Sequence, residues 1–169
     1  QYKSLGGPPG GVIVTNDPEI AKKIDSIAFP GMTANFDAAK SAALAVTMLD
    51  WRDYGEDYAS EMVLMAKTLA SCLEDYDVPV FFGALGHTQS HQFAVLANEY
   101  RGGQEASKLL RKSGLLACGI GLPVQDIKGD MNGIRFGTPE LVRWGMTAKH
   151  ANKLADLIAK ALKSQNVSD

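Results

Sequence analysis

The sequence predicts an α/β protein in two unequal parts: a mostly helical first third, then a small sheet with its helices on one face. Two observations carry this. From Val78 onward short apolar runs alternate with amphipathic helical stretches in the order β-β-α-β-β-α, the pattern of a sheet covered on one side. Before that point alanine-rich and methionine-rich helical periodicity dominates, with one short β-branched run. Residues 78–169 have enough elements to close their own core, whereas residues 1–50 read as a piece of something larger.

The elements follow in order. Gly6-Gly7-Pro8-Pro9-Gly10-Gly11 is a loop, because glycine and proline punctuate both helix and strand. Val12-Ile13-Val14-Thr15 is expected to form a short buried strand. Asn16-Asp17-Pro18-Glu19 reads as a helix start, with a capping side chain, proline in the first turn and acid at the positive dipole end. That helix should run to about Ile27 and stop before Phe29-Pro30-Gly31. Residues 37–50 are alanine-rich with few charges, so a helix buried over most of its surface is expected, followed by a second helix from about Trp51 or Gly55 to Leu73. Its stripe of Met62, Met65, Ala66 and Leu69 is core packing. Strands are then expected at 78–82, 90–97, 115–120 and 133–136, with helices at 104–113 and at 147–163, the latter capped by Thr147.

Composition narrows the function classes. With 46% hydrophobic and 21% charged residues and a formal net charge of −2, the chain offers neither the basic footprint of a nucleic-acid binder nor a polybasic membrane surface. No apolar stretch approaches the roughly 20 residues that span a bilayer. Cys72 and Cys118 are too few for a disulfide framework and fit a reducing, cytoplasmic compartment. The Asn166-Val167-Ser168 sequon reads as chance in such a chain.

Local chemistry leaves the candidate site residues ambiguous. Lys3 precedes the Gly-Pro loop, and by itself reads as a solvated terminal charge. The loop is no phosphate-binding P-loop, since its prolines remove amide donors and no Gly-Lys-Ser/Thr follows. Arg135 sits in Gly133-Ile134-Arg135-Phe136-Gly137, where strand alternation puts it on the face opposite Ile134 and Phe136. Its planar fork suits a carboxylate ligand, and equally a structural Asp or Glu. His87, His91 and His150 lack convincing metal-ligand spacing, Cys118 is outside any C-x-x-C pair, and Ser90 lacks a nucleophile-elbow context, so no metal site is expected.

Four ordered motifs bear a resemblance that these residues alone do not decide. Tyr2-Lys3-Ser4-Leu5-Gly6-Gly7-Pro8-Pro9-Gly10-Gly11, Phe29-Pro30-Gly31 with Ala38-Ala39-Lys40, Gly86-His87-Thr88-Gln89-Ser90-His91, and Gly133-Ile134-Arg135-Phe136-Gly137-Thr138-Pro139 resemble the second half of the serine hydroxymethyltransferase family. The resemblance implies the end of the large pyridoxal-phosphate domain of a fold-type I enzyme (residues 1–50), a connecting helix (51–77) and the complete small C-terminal α/β domain (78–169). It implies that Lys3 carries pyridoxal phosphate and that Arg135 holds the amino-acid carboxylate, for hydroxymethyl transfer or retro-aldol cleavage of serine or a related β-hydroxy amino acid. The N-terminal part of the same enzyme would be required, so this chain alone would be inactive, and a homodimer is implied.

Departures from the family pattern mark a divergent branch. Tyr2 stands where the family has histidine, and Met32-Thr33-Ala34-Asn35-Phe36-Asp37 replaces a glycine-rich phosphate-approaching stretch. Cys118-Gly119-Ile120-Gly121 and Lys128-Gly129-Asp130-Met131-Asn132 replace segments that include folate contacts. They resemble enzymes acting on α-methylserine, either with tetrahydrofolate or as a folate-independent aldolase. The alternatives from other classes are a non-catalytic small-molecule-binding module and a structural partner that keeps the fold.

Overall fold

A computed structural model describes residues 3–35 and 37–164; Tyr2 of the first motif, Phe36 and the sequon at 166–168 lie outside the described residues. The chain divides into two compact units, Gln1–Gly55 and Glu56–Asp169, and the division falls inside one long helix.

In the first unit, helix α1 spans Pro18–Ser26. Asp17 caps it as expected, its Oδ1 accepting from Glu19 N at 2.8 Å and Ile20 N at 3.1 Å. The helical path breaks at Phe29, whose backbone is extended (φ −144°, ψ 127°) ahead of Pro30. Helix α2 then runs without interruption over Ala38–Asp75. The expected boundary near Gly55 is absent. A Cβ at Gly55 would lie 2.7 Å from Cε3 of Trp51, so this glycine makes room for the indole one turn earlier rather than ending a helix.

Two burial expectations fail in this unit. Val12–Thr15 forms no strand, and Val14 is 87% exposed, because an apolar run becomes a strand only beside a partner strand. Residues 38–50, expected to be mostly covered, are exposed except for Leu44 and Thr47.

The second unit holds the core. Strands β1 (Gln92–Leu96), β2 (Cys118–Ile120) and β3 (Gly133–Gly137) form an antiparallel sheet in the order β1-β3-β2. The expected strand at 78–82 is reduced to a bridge, Val80 opposite Val95, flanked by bonds from Phe81 N to Ala94 O and from Leu96 N to Pro79 O, each 2.8 Å. Likewise β2 starts only at Cys118, with Leu116 84% exposed. Helices α3 (Gly103–Lys112), α4 (Pro139–Arg143) and α5 (Ala151–Lys163) complete the unit, and α4 is an element the sequence reading left out. The last helix, expected over 147–163 with Thr147 as its cap, begins only at Ala151; Thr147 instead caps a 3-10 turn at Ala148–His150, its amide donating to Nδ1 of His150 at 3.0 Å.

One face of the sheet is covered. Phe93, Val95, Ile134 and Phe136 pack in a single cluster with Met65, Leu69 and Leu73 of α2, Leu110 of α3 and Ile158 and Leu162 of α5. Phe93 and Phe136 are paired in register with ring centroids 5.6 Å apart. The methionine stripe is core, as its periodicity predicts.

Candidate functional site

Lys3 lies exposed at the start of a tight turn in the first unit. Gly6 N donates to Lys3 O at 2.9 Å, and Gly6 takes a left-handed φ of 68° that its missing Cβ permits. Two residues on from Lys3, the Leu5 carbonyl accepts a 2.8 Å bond from Trp51 Nε1. The turn is therefore tied to α2, while no acid among the described residues of this unit pairs with the Lys3 amine. Nothing local in the sequence joins Trp51 to the Lys3 turn, so that tether was not legible.

Arg135 occupies the centre of β3, half-buried, with its side chain on the face away from the core. Its register partners are Ala94 on β1 and Cys118 on β2. Among the described residues of its unit no carboxylate forms an ion pair with it. A separate groove of about 380 Å³ lies between the 99–101 turn, α3 and the end of α5, and contains none of the predicted site residues. Beside it the Tyr100 hydroxyl is buried without a partner, and burial, with Glu99 adding to it, pushes its pKa up to about 12.

The residues around Arg135 are held by long-range contacts. Thr138 is fully buried, and its Oγ1 donates to Met62 O (2.7 Å) and His91 O (3.1 Å), tying the end of β3 to α2 and to the entry of β1. Tyr58 adds a bond from its hydroxyl to Pro139 O at 3.0 Å. On the other side, Asn132 is 2% exposed; its Oδ1 accepts from Leu122 N, and its Nδ2 donates to the carbonyls of Leu122, Val124 and Gln125. The single side chain folds the 122–125 loop against the start of β3. A Cβ at Gly133 would meet Leu122 Cδ1 at 2.5 Å, so a larger residue there requires the Leu122 side chain to move.

Asp130 does for α3 what no local residue does. Gly102 at the helix start has no capping side chain, and Asp130, 26 positions beyond Gln104, supplies it, accepting from Gln104 N (2.9 Å), Glu105 N (3.1 Å) and Met131 N (2.6 Å). Burial is the largest single influence and disfavours its charge, but the three amides and Lys108 together hold its carboxyl below the ordinary aspartate range. The loop 128–132 therefore has a structural occupation of its own.

Residues 86–91 form a loop, and the strand expected from residue 90 begins only at Gln92. Gly86 and His87 both take left-handed φ values, 94° and 66°. His87 Nε2 sits 2.7 Å from Glu74 Oε2, and Thr88 Oγ1 donates to Gln92 O at 2.7 Å. Gly83 is buried under the Glu74 carboxylate, which occupies the place a Cβ would take.

No family model matches the chain. It is 56% identical over 168 residues, 99% of its own length, to an alpha-methylserine aldolase from Ralstonia, and 34% identical over 166 residues (98% of its length) to the serine hydroxymethyltransferase of Pyrobaculum neutrophilum. Among solved structures it is similar to an L-threonine transaldolase from Pseudomonas fluorescens in its internal aldimine state, with a TM-score of 0.81, 26% identity and coverage of 95% of this chain. The chain spans 38% and 39% of the two curated relatives and 36% of the transaldolase.

Proposed function

We infer that this chain is the C-terminal part of a fold-type I pyridoxal-phosphate enzyme homologous to the alpha-methylserine aldolases and serine hydroxymethyltransferases. The activity proposed for the whole enzyme is cleavage or transfer of the hydroxymethyl group of serine or a related β-hydroxy amino acid. The observation that carries the reading is Arg135: a half-buried guanidinium at the centre of the sheet with no acid partner among the described residues of its own unit.

Both residues fit the roles proposed for them, each within its own unit. Lys3 offers an exposed amine on a turn fixed by Trp51, the kind of group that holds an aldehyde cofactor covalently. The cofactor, when bound, supplies an electron sink for a carbanion at Cα. Arg135 would donate two parallel hydrogen bonds to the substrate carboxylate and so fix the rotation about Cα that exposes one bond to cleavage. Thr138 and Asn132 keep β3 in place at both ends, so the guanidinium is presented by a rigid strand rather than a loop.

A finer reading is favoured by one observation. The loop that would offer folate contacts is engaged internally through Asp130 and Asn132, and relatives 52–56% identical are named alpha-methylserine aldolases. Folate-independent retro-aldol cleavage of α-methylserine, releasing formaldehyde, is therefore the specific form we favour, with tetrahydrofolate transfer as the second. The rest of the enzyme, proposed to precede residue 1, would cover the apolar positions that residues 1–50 leave exposed, among them Ile13, Val14 and Val46. No helix among the described residues is long and apolar enough to cross a membrane. A cytoplasmic homodimer in amino-acid or one-carbon metabolism is the setting we propose, supported by the two free cysteines and by the relatives' names.

The test is an absorbance titration of the full-length enzyme with D- and L-serine, α-methylserine and alanine, each with and without tetrahydrofolate. A cofactor band that shifts with α-methylserine, and formaldehyde release that needs no folate, are expected. Arg135→Lys should keep the resting band and lose the amino-acid response; an unchanged response in that variant overturns the assignment of Arg135.

A further inference from the structure

We propose that Ala94 and Cys118, the two cross-strand neighbours of Arg135, determine how large an acid the site admits. The inference rests on the reading of Arg135 as the carboxylate anchor and goes beyond it by assigning the residues that set its steric clearance.

Directly opposed residues in an antiparallel sheet share a face, with Cβ atoms about 4.5–5.5 Å apart. Ala94 and Cys118 are both opposed to Arg135, so the three form one row across the sheet. Along β3 itself, Ile134 and Phe136 turn into the core, and the same-face positions two residues away are Gly133 and Gly137. The guanidinium's own row and strand therefore carry only two glycines, an alanine and a thiol on its face, while Gln92, Leu96 and Ile120 share that face one pairing step away. Gly133 is explained by the packing of Leu122, but Gly137 has only ordinary contacts, 3.7 Å to Pro139 Cδ and 3.8 Å to His91 O, so local packing does not exclude a larger residue there. Small residues at positions that fold stability does not restrict are what a cleared approach to the anchor requires. Ala94 and Cys118 are both only partly buried, so enlarging either fills the approach to Arg135 before it disturbs the core.

The experiment uses the full-length enzyme loaded with cofactor. Ala94→Leu and Cys118→Leu should each raise KM for α-methylserine about tenfold or more, with kcat falling less and the resting cofactor spectrum unchanged. A second measurement avoids any folding defect. Methyl methanethiosulfonate converts the Cys118 thiol of the folded enzyme to a methyl disulfide with loss of methanesulfinate, and dithiothreitol reverses it. Labelling should raise KM reversibly, should be slowed by an amino acid more than by its methyl ester, and should have no effect on KM in Cys118→Ser. Unchanged KM in both leucine variants, or labelling of Cys118 without effect on KM, overturns the proposal. Arg135→Lys separates the two levels: if it weakens amino-acid binding while the leucine variants do not, only the clearance proposal falls; if it too leaves binding intact, the anchor reading falls.

Discussion

Asp130→Ala measures how far the support of α3 depends on a residue remote in sequence. The substitution removes the acceptor for three amides, Gln104 N, Glu105 N and Met131 N, at 2.9, 3.1 and 2.6 Å. Loss of a capping side chain costs about 1 kcal/mol within a span of roughly 0.5–2, and loss of a negative charge at the positive end of a helix adds roughly 0.3–1 where solvent screens it. With a urea dependence of about 2 kcal/mol per molar, a total near 1.5 kcal/mol lowers the unfolding midpoint by about 0.7 M. Asp130→Asn keeps an acceptor oxygen and should recover about half of that. The folded-state pKa of Asp130 is depressed, so its charge-linked stabilisation is complete above the unfolded aspartate value and is lost as pH falls through the folded one. The difference between native and Asp130→Ala midpoints should therefore hold from pH 7 to pH 5 and narrow only below the ordinary aspartate value of about 3.9. A midpoint equal to that of the native chain at pH 7, or a difference that narrows already between pH 7 and 5, refutes this account.

Thr138→Val keeps the shape and removes the hydroxyl that reaches Met62 O and His91 O, and His91 O retains the Thr138 amide; a loss of about 1–1.5 kcal/mol in urea unfolding is expected. Gly103→Ala would improve helix propensity yet drive a Cβ into the carbonyl of Gly133, 3.0 Å from Cα of Gly119. Net destabilisation of about 1–3 kcal/mol is expected, and a raised thermal midpoint would contradict the close approach of α3 to the sheet. Trp51→Phe should leave α2 helical by circular dichroism and speed proteolysis at the Lys3 turn, since the bond to Leu5 O is lost.

What the sequence revealed depended on how local each cause was. The Asp17 cap, the alternation of β3 and the methionine stripe act within a few residues, and each was readable. Gly55 was misjudged because glycine punctuation cannot distinguish a helix end from space made for an indole one turn away. Val12–Thr15 has strand composition, but a strand also needs a neighbour, which composition does not supply. Asp130, Asn132 and Thr138 act across gaps from 7 to 76 residues, and no periodicity points to them. The site was legible in a different way. Local chemistry left Lys3 and Arg135 undecided, and family resemblance raised them; in the structure no acid of its own unit pairs with Arg135 among the described residues.

The most direct test of the central claim is chemical. The full-length enzyme, reduced with borohydride and digested, should yield a Lys3 peptide carrying the mass of a phosphopyridoxyl group, and its untreated cofactor band should disappear on reduction. A phosphopyridoxyl group on a different lysine, or on none, would contradict it.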